Sequence, residues 1–287
     1  MKRKIFITGG GGMLASQIEK FYRRKEYKVL APNHTELDIL NDSALLEAIS
    51  SFEPDCVFHT AALHVNDSEE DPESAFRVNA KASEKLACVC SQANAVLIYI
   101  SSCGYFGDEI KYYSESDEVK LKTVYARTKY EGEQLAMRVN EKTIAIRPGW
   151  LFGGEIAHKK NFVYQRYLEA KTSSVMRSAT DKYGSPTYTD DLVRKMDEVM
   201  ETGKFGLYHL TNSGGCSRAG YVKKIIKSCN LGTSVEEVDS SHFPRKANTP
   251  DCELLNNSNL KNLGLTPMLH WEEAIERYAG IMLKEIG

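Results

Sequence analysis

Long apolar runs are missing from this sequence. No window approaches the roughly 20 consecutive apolar residues that cross a bilayer, so no membrane span is expected. Basic residues open the chain, but the apolar run behind them is only Ile5-Phe6-Ile7 before glycines begin. That is too short for the core of a secretory signal. A charge excess is missing as well. With 37 basic and 39 acidic residues the net charge is -2, which offers nothing to attract nucleic acid. Seven cysteines show no paired-doublet spacing, and seven histidines form no ligand pattern. No metal site is expected, and the cysteines read as reduced thiols of a cytoplasmic protein. The implied partner is a small molecule; a homodimer is left open.

What is present is alternation. With 42% hydrophobic and 26% charged residues, the composition is that of an ordinary globular protein. Residues 4–8, 28–31, 56–59, 95–100 and 143–147 read as strands, several of them almost continuously apolar. Such strands are buried on both faces, as in a parallel sheet covered by helices. Between them lie helical patterns: Leu14, Ile18, Phe21 and Tyr22 share one face, and Leu45, Leu46 and Ile49 another. A longer helix is expected from Asp71-Pro72 through Cys90. Right-handed crossovers then give an α/β fold, a doubly wound parallel Rossmann sheet. The second half is less regular, with helices expected over 161–170, 189–200 and 218–228, a strand over 207–211 and loops over 239–259. A dinucleotide-binding domain is expected to take residues 1–153 with 176–212. A smaller α/β substrate lobe takes 154–175 with 213–287.

Three motifs carry chemistry. Thr8-Gly9-Gly10-Gly11-Gly12-Met13-Leu14-Ala15 stands between the first strand and the first helix. A pyrophosphate at a helix N-terminus needs backbone NH groups and no Cβ in the way. A glycine turn alone is weak evidence; its place after a strand and before an amphipathic helix makes it cofactor-binding, with Gly9, Gly12, Met13 and Leu14 nearest the ligand. Tyr125 and Lys129 lie four residues apart, on one helix face. An ammonium beside a phenol would stabilise phenolate and lower the tyrosine pKa. Tyr167 and Lys171 have the same spacing. That second pair does not follow a strand's carboxyl end, and Tyr167 reads as core beside a solvated lysine. Ser101-Ser102 closes the fourth strand, where ligands of doubly wound sheets bind; a hydroxyl there can hold a substrate carbonyl.

The combination resembles the extended short-chain dehydrogenase/reductases, and most closely the dTDP-4-dehydrorhamnose reductase group. The likeness runs through nearly the whole chain. It includes Leu37-Asp38-Ile39, His59-Thr60-Ala61-Ala62, Asn79, the stretch Arg147 to Gly153, Asn161-Phe162 and the stretch Asp181 to Thr187. The resemblance implies NADPH or NADH as cofactor, held also by Asp38, Ile39, Ala61, Ala62, Tyr125 and Lys129. It implies a nucleotide-activated 4-keto-6-deoxy sugar as substrate. Tyr125 would protonate the sugar oxygen, Lys129 would hold the nicotinamide ribose, and Ser102 would bind the carbonyl. Cys103, Trp150 and Asn161 would lie along the substrate. NADPH is slightly favoured, because the second strand ends in Ala31-Pro32-Asn33-His34 with no carboxylate before Glu36.

Two departures bear on the sugar. Cys103-Gly104 stands where the reductases continue with Asp-Tyr, removing a charge and an aromatic and leaving room for a bulkier substituent. Thr249 stands where they carry an arginine, with Arg245 four residues earlier. A nucleotide-sugar epimerase is the nearest rival, and a cofactor-binding regulatory subunit the rival from another class. A dehydratase would carry an acidic pair after the serine.

Overall fold

The computed structural model describes residues 3–287. Six parallel strands form its central sheet. In spatial order they are Lys28–Leu30, Lys4–Thr8, Cys56–His59, Val96–Ile100, Thr143–Pro148 and Gly206–Leu210. The chain leaves Lys4–Thr8 to one side and then returns to the other, so a crevice opens at the carboxyl ends of the first and third strands. Ile5, Phe6 and Ile7 are fully buried; burying a side chain of that size stabilises the fold by roughly 1.5–3 kcal/mol. One face packs on helices Met13–Arg24 and Thr189–Glu201, the other on Asp42–Phe52, Ala82–Gln92 and Val124–Val139.

Helix starts follow local side-chain chemistry. Asn41, Asp71, Thr123, Asn161 and Ser217 each accept a hydrogen bond from a first-turn NH, which satisfies a donor the helix cannot. Within the second helix Leu45 and Ile49 are buried, but Leu46 is 45% exposed; its neighbouring position turns it away from the sheet. The expected long helix begins at Pro72 and runs to Gln92, interrupted by a π-turn at Arg77–Lys81. The turn faces Asn79 inward, where its amide binds both backbone groups of Leu63 and the Thr128 hydroxyl. Gly132 lets the helix from Val124 approach there, since a Cβ would stand 2.1 Å from the Asn79 carbonyl.

The lobe is built from short strands. Tyr183–Gly184 lies between Cys216–Ser217 and Cys252–Glu253, and Trp150–Phe152 pairs with Pro186–Tyr188. Phe152, Tyr167, Tyr221, Trp271 and Tyr278 form its core with helices Phe162–Thr172, Arg218–Ser228 and Trp271–Ile286. The division expected at residue 176 falls inside strand Val175–Ala179. That strand pairs with Ser234–Val238 and so sits with the lobe.

Candidate functional site

The turn after the first strand is shaped by its glycines. Gly9 and Gly11 take φ of 71° and 78°, a region that only glycine enters freely. Gly10 packs so closely that a Cβ would meet the Ala31 carbonyl at 1.9 Å. Gly11, by contrast, faces open space. The helix from Met13 has no side-chain cap, so its first NH groups are left for a ligand.

Those NH groups open onto a cavity of about 1150 Å³. Gly9, Gly12, Met13 and Leu14 line one end, with Asp38, Ile39, Ala61 and Ala62 beside them. Ser102, Cys103, Tyr125 and Lys129 line the other. A glycine cradle at a helix start, joined to these side chains by one long cavity, fits a dinucleotide.

Thr123 starts the helix that carries Tyr125 and Lys129 in its first two turns. The two side chains do not meet as the spacing predicts. The Lys129 ammonium reaches across to the strand end, donates to the Ile100 carbonyl at 2.7 Å and lies 4.2 Å from the Tyr99 ring centroid. Helical spacing brings their Cβ atoms together but does not fix where a four-carbon stem points. The expected lowering of the tyrosine pKa is therefore not found. Burial pushes Tyr125 up to about 12, with the Ser102 hydroxyl holding it back. Burial likewise brings Lys129 down to about 7, with Glu133 opposing.

Both serines line the cavity, but their hydroxyls find different partners. Ser101 Oγ donates to Glu133 at 2.6 Å and is 2.7 Å from the Tyr105 hydroxyl, so it faces inward. Ser102 Oγ accepts from the Gly104 NH at 3.1 Å and lies on the cavity side with Tyr125. Tyr167 is core, 7% exposed, with the Lys171 ammonium 5.6 Å from its ring.

Two expected substrate contacts stand elsewhere. Asn161 is fully buried; its carbonyl accepts from Tyr164 NH, and its amide donates to Tyr278 and to Glu155. Both ends are engaged, which leaves no edge for a sugar. Trp150 is not among the cavity-lining residues. Its indole NH donates to Glu253 Oε2 at 2.6 Å, and Arg218 stacks on the ring at 3.5 Å.

Sequence reasoning did not single out Glu253 or Arg218, which reach the site only through pairing of two-residue strands. A carboxylate does stand beside Cys103-Gly104: Glu253 Oε1 is 3.7 Å from Cys103 Sγ and 3.2 Å from where a Cβ of residue 104 would be. Arg245 lines a second cavity of about 760 Å³ with Lys159, Lys160, Arg166 and Lys246. Lys159 and Lys160 line both cavities. No helix among the described residues is long and apolar enough to cross a membrane.

Comparison with known proteins gives a consistent picture. The family model described as the RmlD substrate binding domain matches residues 3–283. A dTDP-4-dehydrorhamnose reductase of Mycolicibacterium smegmatis is 31% identical over 96% of this chain and 85% of its own. The crystal structure of such a reductase from Clostridium acetobutylicum superposes with a TM-score of 0.93 at 29% identity, covering 98% of this chain and 99% of that one. The reductase from Bacillus anthracis, solved in complex with NADP, gives 0.92 at 30% identity and covers 97% and 99%.

Proposed function

The chain belongs to the RmlD substrate binding domain family, and we propose that it reduces the 4-keto group of a nucleotide-activated 6-deoxy sugar with NADPH or NADH. It would do so in the cytoplasm, in the synthesis of deoxysugars for surface polysaccharide. One observation carries this reading: a single cavity joins a glycine-lined helix N-terminus to Ser102, Tyr125 and Lys129.

Bound along that cavity, the nicotinamide would supply hydride to C4 of the sugar. Ser102 holds the carbonyl oxygen and Tyr125 protonates it. A phenol pushed up to about 12 stays protonated at neutral pH, as a proton donor must. Lys129 would bind the cofactor ribose. The second cavity suits the nucleotide's diphosphate, since Arg245 can give two parallel hydrogen bonds to phosphate oxygens with Lys159 and Lys160 alongside. The test is loss of NADPH absorbance with a panel of dTDP- and UDP-4-keto-6-deoxy sugars. Consumption with none of them overturns the reading.

NADPH is expected to bind at least as tightly as NADH. Asn33, His34 and Thr35 line the cavity there, and the Glu36 carboxylate is turned back to accept from the Asn33 NH at 2.8 Å. Asp38 also lines the cavity, but its carboxylate accepts from the Leu40 NH at 3.0 Å, so neither carboxylate is set to repel a 2′-phosphate. Titration of both reduced cofactors checks this, and a large preference for NADH contradicts it.

Cofactor binding should also take up a proton. Lys129 sits near 7 in the free protein, and an anionic ligand favours its charged form. Linkage then requires affinity to fall as pH rises from about 7 toward the higher pKa of the complex. Calorimetry of NADH in buffers of different ionisation heat measures the uptake; NADH avoids the titrating 2′-phosphate. Uptake is expected above pH 7 in wild type and should vanish in Lys129→Met. Equal uptake in both assigns the proton elsewhere.

A further inference from the structure

Glu253 is a carboxylate that the reaction above does not use. It lies on the short strand Cys252–Glu253, directly opposite Gly184, and is half-buried. One oxygen is fixed, because Oε2 takes the Trp150 indole NH at 2.6 Å. Trp150 is itself held between Gly184, which has no side chain to displace it, and the Arg218 guanidinium at 3.5 Å. The other oxygen, Oε1, takes the Cys103 thiol, a weak donor, at 3.7 Å and no other hydrogen bond among the described residues.

Oε1 stands beside Cys103, which lines the reacting end of the cavity. A Cβ on Gly104 would lie 3.2 Å from Oε1 and 3.5 Å from Ser102 Oγ. The two oxygens are therefore at most about 6.7 Å apart, a span that two hydrogen bonds of about 2.8 Å to neighbouring oxygens of one sugar ring can cover. Glycine at 104 keeps the line between them open. Arg218 lies on the far side of this contact, stacked on the Trp150 ring whose NH Glu253 holds. A carboxylate accepts hydrogen bonds and cannot donate them, so its free oxygen selects for a donor.

We propose that Glu253 determines specificity by accepting a hydrogen bond from a hydroxyl or amino group on C3, the sugar carbon next to the keto group. The proposal rests on the cavity being a 4-ketosugar site. A sugar with no donor at C3 leaves Oε1 unpaired, and sites built to bond a hydroxyl reject analogues that lack it. Trp150 and Arg218 act as positioning residues through Glu253.

The experiment crosses two sugars with three proteins. A dTDP-4-keto-6-deoxy sugar with a 3-hydroxyl and its 3-deoxy analogue are compared on wild type, Glu253→Gln and Glu253→Ala. Wild type should favour the 3-hydroxy sugar by about 100-fold in kcat/KM, the size of a hydrogen bond to a charged group. The preference, not the absolute rate, is the readout, and it should fall to about 5-fold or less in both variants. NADPH affinity, measured alongside, reports whether each variant is folded. Glu253→Gln keeps the side chain's shape and its bond to Trp150, so it decides the matter should Glu253→Ala misfold. Equal use of the two sugars by wild type, or a preference that survives in the variants, overturns the role of Glu253 and leaves the parent reading standing. Failure of wild type to reduce either sugar overturns both.

Discussion

Tyr125→Phe is expected to lower turnover by about 10²–10⁴-fold, the usual contribution of a general acid, while NADPH still binds. The substitution removes one hydroxyl and keeps the ring that lines the cavity. The donor matters because hydride addition leaves an alkoxide that needs a proton inside a site partly closed to water. Ser102 cannot take over. Its hydroxyl would polarise the carbonyl, but a serine proton is far less acidic than a phenol's. Tyr167→Phe is the control, since that ring belongs to the lobe core and lies with Tyr164 and Tyr221 rather than at the cavity. Near-normal turnover in Tyr125→Phe together with a large loss in Tyr167→Phe would show that the wrong pair has been chosen. A loss of NADPH affinity equal to the loss of rate would instead give Tyr125 a binding role.

The contrast between these tyrosines shows what a sequence conveys. Both carry a lysine four residues on, and only order along the chain separates them: one follows the strand ending in Ser101-Ser102, the other does not. The glycine turn, the six sheet strands and the helix starts are local patterns of apolar spacing and capping, and they were legible for that reason. The lobe was not. Its sheet at the site consists of two-residue strands, Tyr183–Gly184 beside Cys252–Glu253, too short to leave any periodicity. Trp150 and Asn161 were expected on the substrate through resemblance, yet Asn161 spends its amide on a helix cap and Tyr278. Sequence spacing also misjudged direction: Lys129 shares a face with Tyr125 but reaches for the Ile100 carbonyl. The apparent loss of a carboxylate at Cys103-Gly104 was a statement about one segment, and the fold brings a carboxylate beside it from another.

Breaking the buried pair Glu133–Arg147 should destabilise the fold by about 3–5 kcal/mol, a large share of the roughly 5–15 kcal/mol that holds a typical domain together. The two side chains are 0% and 3% exposed. They meet through two bonds, Arg147 Nε to Oε2 at 2.8 Å and an η-nitrogen to Oε1 at 2.6 Å. Ser101 adds a third donor at 2.6 Å, and the guanidinium lies against the rings of Tyr105, Phe106 and Tyr130. Arg147→Met would leave a carboxylate in the interior with its main partner gone. The cost is that of a stranded charge, not the net value of the pair, because burying both ions was itself unfavourable. Replacing both, as Glu133→Leu with Arg147→Met, should therefore recover much of the lost stability. The pair ties the helix bearing Tyr125 and Lys129 to strand Thr143–Pro148, and the Ser101 bond to the same carboxylate ties it to the strand end next to Ser102, so the single variants should lose activity beyond what unfolding explains. Urea unfolding of Arg147→Met, of Glu133→Leu and of the double variant measures the first effect, and kcat at a temperature where each remains folded measures the second. A cost below about 1 kcal/mol for both single variants would place this pair with weak surface bridges, against what its burial demands.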